Sequence, residues 1–246
     1  MKGILWPLIG LIVANTALAD SPDISIGIIG SMDTSPYHAQ THDYSVMPLF
    51  AYDNDSEYIE GAEVGYYVIN DDRQELRLKA YYDDTAYHNS DGHSDAMRRL
   101  QNRKATMMAG VSYQFTTAIG AFHSQLAADT LNHSNGLTAN ASWLNQLNVS
   151  RLILSGELGS DWANGKQTRY YYGISDAESR RSGLSRYHPK ATFIPYINLT
   201  AQYPLAEHWQ SFIALRSNFL SATVRHSPMV NQQQTYSLSS GLSYDF

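Results

Sequence analysis

Cysteine is absent from the 246 residues. That excludes a disulfide framework, a thiol nucleophile and any Cys-ligated metal. Basic residues are too few for a nucleic-acid binder: 17 Lys+Arg stand against 23 Asp+Glu, a net of −6, and no basic arm or tail is present. Long hydrophobic runs are also missing. The one apolar run, Ile4 to Val13, covers ten residues, whereas a membrane-spanning helix needs about 20. No Pro/Gly/Ser-rich linker and no sustained heptad divides the chain, which reads as one domain. Phe and Trp are scarce at 7 and 4, and Tyr takes their place at 18. Tyr has an apolar body and a polar tip, which suits a membrane–water interface.

The N-terminus reads as an export signal. Lys2 supplies the positive end, Ile4–Val13 the apolar stretch, and Ala17-Leu18-Ala19 a small-x-small cleavage site. Residues 1–19 are therefore expected to be removed, leaving 20–246 as the mature domain.

The dominant pattern is alternation. From Ala191 the odd positions read Ala191, Phe193, Pro195, Ile197, Leu199, Ala201 and Tyr203. The even positions read Thr192, Ile194, Tyr196, Asn198, Thr200 and Gln202. Successive side chains on a strand point to opposite faces, so one strand meets two environments. Leu76, Leu78, Ala80 and Tyr82 alternate with Glu75, Arg77 and Lys79. Leu152, Leu154 and Leu158 alternate with Arg151, Ser155 and Glu157. Strands of a soluble sandwich average about five or six residues, and bilayer-spanning strands need about 9–11. The runs here are of the longer kind, and their polar faces carry charges (Arg77, Lys79, Arg151, Glu157, Asp161 and Arg216) that a wet lumen accommodates. The expected fold is all-β: an antiparallel transmembrane β-barrel of the Gram-negative outer membrane.

Eleven segments can be marked: 24–30, 46–53, 57–68, 74–83, 104–115, 119–129, 136–148, 151–162, 190–203, 208–219 and 235–246. A single-chain bacterial barrel needs an even number, so twelve strands are expected, with ten as the alternative. The short turns at Pro204–Glu207, Gln146–Ser150 and Thr116–Ala118 suit the periplasmic end. The long connections at 84–103, 163–189 and 220–234 suit the extracellular one. The last strand places Tyr236, Leu238, Leu242, Tyr244 and Phe246 on one face. This resembles the C-terminal signal read by the barrel assembly machinery.

A more specific resemblance lies in the second long connection. Tyr171-Tyr172-Gly173-Ile174-Ser175 is followed by Ser182-Gly183-Leu184 and Tyr187. In order along the chain come also Pro48, Tyr52, Gly61, Gly65-Tyr66, Met97, Leu100, Arg103, Trp209, Ser227-Pro228 and Gly241-Leu242-Ser243-Tyr244-Asp245-Phe246. The whole is similar to the MipA/OmpV family, named for an MltA-interacting scaffold protein and a Vibrio outer-membrane protein. The resemblance implies a non-catalytic outer-membrane protein without cofactor. Its expected role is a scaffold joining a lytic transglycosylase to a murein synthase, or a surface adhesin. A small-solute channel is the alternative function, and a lipid-modifying enzyme the less favoured one.

Residue chemistry adds little catalysis. Adjacent His123 and Ser124 must point to opposite faces of a strand, so they cannot act as base and nucleophile. Asp83, Asp84, His88, Asp91, His93 and Asp95 crowd one connection, yet their spacing matches no metal motif. Arg98, Arg99, Arg180 and Arg181 stand in the long loops, where guanidinium groups can meet lipopolysaccharide phosphates.

Overall fold

The computed structural model describes residues 23–39 and 42–246. The expected leader, residues 1–19, lies outside the described residues. The described chain forms one closed antiparallel sheet of twelve strands, each paired with its neighbours in sequence, β1 closing on β12. The strands are β1 Asp23–Thr34, β2 His42–Asp53, β3 Glu57–Glu60, β4 Glu63–Asn70, β5 Gln74–Asp83, β6 Thr106–Thr117, β7 Gly120–Asp129, β8 Leu137–Val149, β9 Leu152–Ala163, β10 Thr192–Pro204, β11 Trp209–Phe219 and β12 Gln234–Asp245. Closure is needed because unpaired backbone groups are costly in hydrocarbon. The closing seam runs from Ser25↔Asp245 to Asp33↔Ser237, and the Phe246 N–H donates to the Ile24 carbonyl at 3.0 Å.

The alternation sorts side chains as expected. On β10, Phe193, Ile197 and Leu199 are exposed on the outer wall, whereas Ile194 and Tyr196 are buried inside. Outside meets lipid and inside is polar and self-packed, so both halves of the period-2 pattern are satisfied at once.

The expected single strand at 57–68 is in fact two, which brings eleven segments to twelve. Gly61, at φ +57°, turns the chain in a left-handed conformation that costs glycine little. The reversal also flips parity: Tyr58 faces the lumen, but after the turn it is Glu63 and Tyr67 that do so, and Val64, Tyr66 and Val68 face out. Tyrosine serves on either face, so the sequence alternates through the turn without a visible break.

At one end the connections are tight. The β8–β9 turn needs only Ser150 and Arg151, and Arg151 lies there, donating to the Pro204 carbonyl at 2.9 Å. It is therefore a turn residue and not one of the luminal charges. At the other end, extracellular by the short-turn rule, the long connections carry four short helices: α1 Asp95–Arg98, α2 Gly165–Tyr172, α3 Asp176–Ser182 and α4 Ala222–Arg225. Ser94, Asn164, Ser175 and Ser221 cap them, each side-chain oxygen accepting a backbone N–H of the first turn.

Candidate functional site

The extracellular loops do not wave in solvent. Tyr37, Tyr87, Met97, Leu100, Ile174, Val224, Met229 and Val230 form a buried cluster drawn from four separate loops, with Leu184 and Tyr187 packed against it. Tyr37 and Tyr87 meet edge-on at 5.0 Å. Isolated bridges, Tyr37↔Val230 and Ala39↔Gly92, tie the loops to one another. The result is a lid with its own hydrophobic core, seated on the barrel mouth.

The residues that carry the family resemblance hold this lid. Ile174 and Tyr187 pair as a bridge, and the Tyr187 hydroxyl donates to the Thr223 carbonyl at 2.6 Å. Tyr171 donates to Lys104 O at 3.2 Å, and Tyr172 O accepts from the Ser227 hydroxyl at 2.7 Å. Ser175 opens α3 with a reciprocal capping box to Glu178. Gly183, at φ +79°, ends it, and Leu184 O accepts from Ser179 at 2.7 Å. Ser182 accepts from the Leu184 N–H at 3.2 Å. Burial of the Tyr171 hydroxyl and neighbouring acidic groups push its pKa well above the usual tyrosine range.

The centre of the lid is a pair that the sequence reading left unassigned. Arg103 donates to Glu178 Oε1 at 2.8 Å and to the Gly173 carbonyl at 3.1 Å. Glu178 also receives the backbone N–H groups of Gln101 and Ser175, both at 3.0 Å. Burial alone would raise its pKa. The N–H donors and the Arg103 guanidinium outweigh that and hold the carboxyl below the usual glutamate range. The Ser175-x-x-Glu178 spacing could have revealed the capping role, but nothing local points to Arg103.

Beneath the lid the lumen is lined by two polar networks. In the first, Arg216 meets Asp161 at 2.6 Å and Asn218 at 2.9 Å, and its guanidinium lies 3.5 Å from the Tyr196 ring centroid. Tyr196 donates to Glu157 at 2.6 Å, and Asn140 bonds both Asp161 and Tyr196. In the second, Lys79 and Tyr58 each meet Glu63 at 2.7 Å, and Arg77, paired with Glu75 at 2.6 Å, sits 4.5 Å from the Tyr58 ring centroid and 4.8 Å from that of Tyr67. A cavity of about 160 Å³ lies between lid and lumen. Tyr37, Tyr171 and Tyr172 of the lid roof it, and Asp33, His123 and Arg216 stand among its luminal walls.

The candidate catalytic and metal residues are not brought together. His123 is directed inward to Asn140 at 3.4 Å, and Ser124 faces out. The Ser134 hydroxyl is held by Asp129 and Gln167. In the acidic connection, Asp83 accepts from the Thr85 N–H, Asp91 from Ser90 and Asp95 from Arg98. Among the described residues no group of three or more His, Asp or Glu could hold a metal ion.

The candidate anion-binding arginines do converge. Arg181 Nε donates to the Arg99 carbonyl at 2.7 Å, and Arg99 donates back to the Arg181 carbonyl at 3.4 Å, across 82 positions of sequence. Arg98 and Arg180 flank them, all four exposed on one α1–α3 ledge. Tyr236, Leu238, Leu242 and Tyr244 share the outer face of β12, and Tyr244 meets Trp209 edge-on at 5.3 Å and Phe246, just past the strand, edge-on at 5.0 Å.

Comparison with known proteins agrees with this architecture. Residues 26–246 match the family described as MltA-interacting protein MipA. The chain is 34% identical over 240 residues to the MltA-interacting protein of Escherichia coli K12, covering 97% of each. It is 31% identical over 230 residues to YiaT of the same strain, named for the outer membrane, covering 94% of each. It is 19% identical over 221 residues to outer membrane protein OmpV of Vibrio cholerae, covering 90% of this chain and 85% of that one. The chain belongs to the MipA/OmpV family and is a twelve-stranded barrel of the outer membrane.

Proposed function

We propose that this barrel is a non-catalytic scaffold that holds murein-remodelling proteins at the outer membrane. The observation that carries the reading is the locked lid. At its centre Arg103, Glu178, the Gln101 N–H and the Gly173 carbonyl are engaged with one another in bonds that hold loop to loop. A relative 34% identical is named for its interaction with MltA, which supports a lytic transglycosylase as partner here, with a murein synthase as the second arm. The barrel assembly machinery reads β12 through Phe246. Lipopolysaccharide phosphates meet Arg98, Arg99, Arg180 and Arg181.

The channel reading rests on the cavity under the lid, and conductance separates the two. In planar bilayers the scaffold gives no stepwise openings, and detergent-extracted envelopes yield the transglycosylase with the barrel. Regular openings in the native chain, with no transglycosylase recovered, would favour the channel. An adhesive role would show instead as loss of surface attachment on deletion.

A further inference from the structure

The wall of the barrel is stepped at one place. The β3–β4 hairpin turns back at Gly61, where the Gly61 N–H donates to the Phe50 carbonyl at 2.9 Å. That is the last bond β2 receives from β3, after the pairs Asp53↔Tyr58, Tyr52↔Ile59 and Ala51↔Glu60. β2 runs on from Leu49 to His42, paired with β1 on its other side throughout. Successive residues of a strand direct their backbone groups to alternate sides. Phe50 faces β3, so Pro48, Val46 and Tyr44 face the same way. Among the described residues no backbone group pairs with them there.

Three features mark this flank as built for a guest. Pro48, which has no N–H to donate, stands on the unpaired side, where proline is tolerated in a strand. Between Tyr44 and Tyr52 no side chain is charged, although charged or lysine-bearing edges are how sheets normally repel partners. Tyr44 and Val46 are 66% and 72% exposed on the outer face. On the inner face Asp43 and Ser45 are polar and Met47 is apolar. Phe212, Gly241, Ile29 and Met47 form one rung across β11, β12, β1 and β2 by direct register, and Phe212 and Ile29 are buried. That rung ends at the open flank.

We propose that the upper half of β2 is a strand-addition site for an apolar, extended segment of a different, membrane-embedded polypeptide. The guest runs antiparallel to β2, continuing the line of β3. It pairs with Tyr44 and Val46 and packs alternate side chains against lipid and against Met47. Unpaired N–H and C=O groups ask for a polypeptide rather than an acyl chain, which offers no hydrogen bonds. A second copy in the same membrane fits poorly. A two-fold axis along the membrane normal sets the two β2 strands parallel and crosses them at twice the strand tilt, itself about 35–45°. The proposal rests on the scaffold reading and supplies what short periplasmic turns lack, a surface for a partner within the membrane.

The test uses the full chain in native outer membranes, with a benzophenone side chain at position 44 and a control at 199, which faces out but is paired on both sides. Position 44 should give a discrete adduct with one other polypeptide and position 199 none. Mapped crosslinks from 44 and from 46 should fall two residues apart on the guest. Val46→Pro, which removes the free N–H without taking a bond from β1, should leave heat-modifiable folding intact and abolish the adduct. Val46→Lys serves the same purpose should proline hinder assembly. An adduct of twice the chain mass, labelling of lipid alone, no adduct, or an adduct that survives both folded variants overturns the proposal. Co-isolation of the transglycosylase is followed in the same variants. Its retention without the adduct separates the in-membrane site from the scaffold role, and its absence in the native chain sinks the scaffold role alone.

Discussion

Arg103 and Glu178 lie 75 positions apart in sequence and 2.8 Å apart in the lid, with side chains only 6% and 3% exposed. One comes from the loop after β5 and the other from α3, so the pair fastens two loops that share no other ion pair among the described residues. Removing one partner strands the other charge in a dry site, at about 3–5 kcal/mol. Arg103→Met should therefore loosen the lid by roughly that amount while leaving the barrel, whose strands it does not join, intact. Limited trypsin digestion reads the first effect as faster cleavage near Arg180, and unchanged heat-modifiable mobility reads the second. Equal loss of both would show that lid and barrel fold as one unit.

The same pair makes the lid sensitive to acid. Glu178 has a folded-state pKa below the ordinary glutamate value of 4.5. A carboxyl depressed by folding contributes stability that is fully present above its unfolded value and is lost as pH falls through the folded one. Protection of the Gln101 N–H, which Glu178 accepts, taken relative to the intrinsic exchange rate at each pH, should stay high from neutral pH down to about 4.5 and fall below it. Glu178→Gln removes the titration, so this protection should be lower at neutral pH and flatter across the acid range.

How far the sequence reveals this protein follows from the range of each interaction. Alternation is local, and it places Ile197, Leu199, Tyr196 and Glu157 on the correct faces because lipid and lumen impose opposite demands on neighbouring residues. The C-terminal strand is legible for the same reason. The β3–β4 turn is not, because Gly61 reverses the chain in two residues and tyrosine suits both faces on either side of it. The lid is legible only in part. Ser175 and Glu178 show a capping box three residues apart, whereas Arg103 finds Glu178, and Arg99 finds Arg181, only through loop closure over the mouth. Arg151 misleads because period-2 reading extends a strand into its own turn.

Close packing in the lumen yields a steric prediction. An ideal Cβ at Gly65 would fall 2.4 Å from Tyr58 Cε1, in the layer where Tyr58 bonds Glu63 and supports Arg77. Gly65→Ala must displace that ring, which overpacking data place at about 1–3 kcal/mol. Urea unfolding in detergent should show the loss. Adding Tyr58→Ala should restore space for the methyl, so the double variant should be less unstable than the sum of the two single ones. Strict additivity would mean that the ring is not the obstacle.

The α1–α3 ledge tests the lipid contacts. Arg99 and Arg181 exchange guanidinium-to-carbonyl bonds, which hold both cations on the exposed surface with donors to spare. Each arginine near an anionic surface contributes about 1 kcal/mol, roughly five-fold in affinity. Arg98→Ala and Arg180→Ala, which spare the interlock, should each lower binding of purified lipopolysaccharide by about that factor, and the loss should shrink as salt is raised. Dephosphorylated lipopolysaccharide should bind the native chain more weakly than intact lipid binds the Arg98→Ala/Arg180→Ala double variant, which keeps Arg99 and Arg181. Unchanged binding on dephosphorylation would mean that the arginines meet sugar or solvent, and that phosphate is not what the ledge holds.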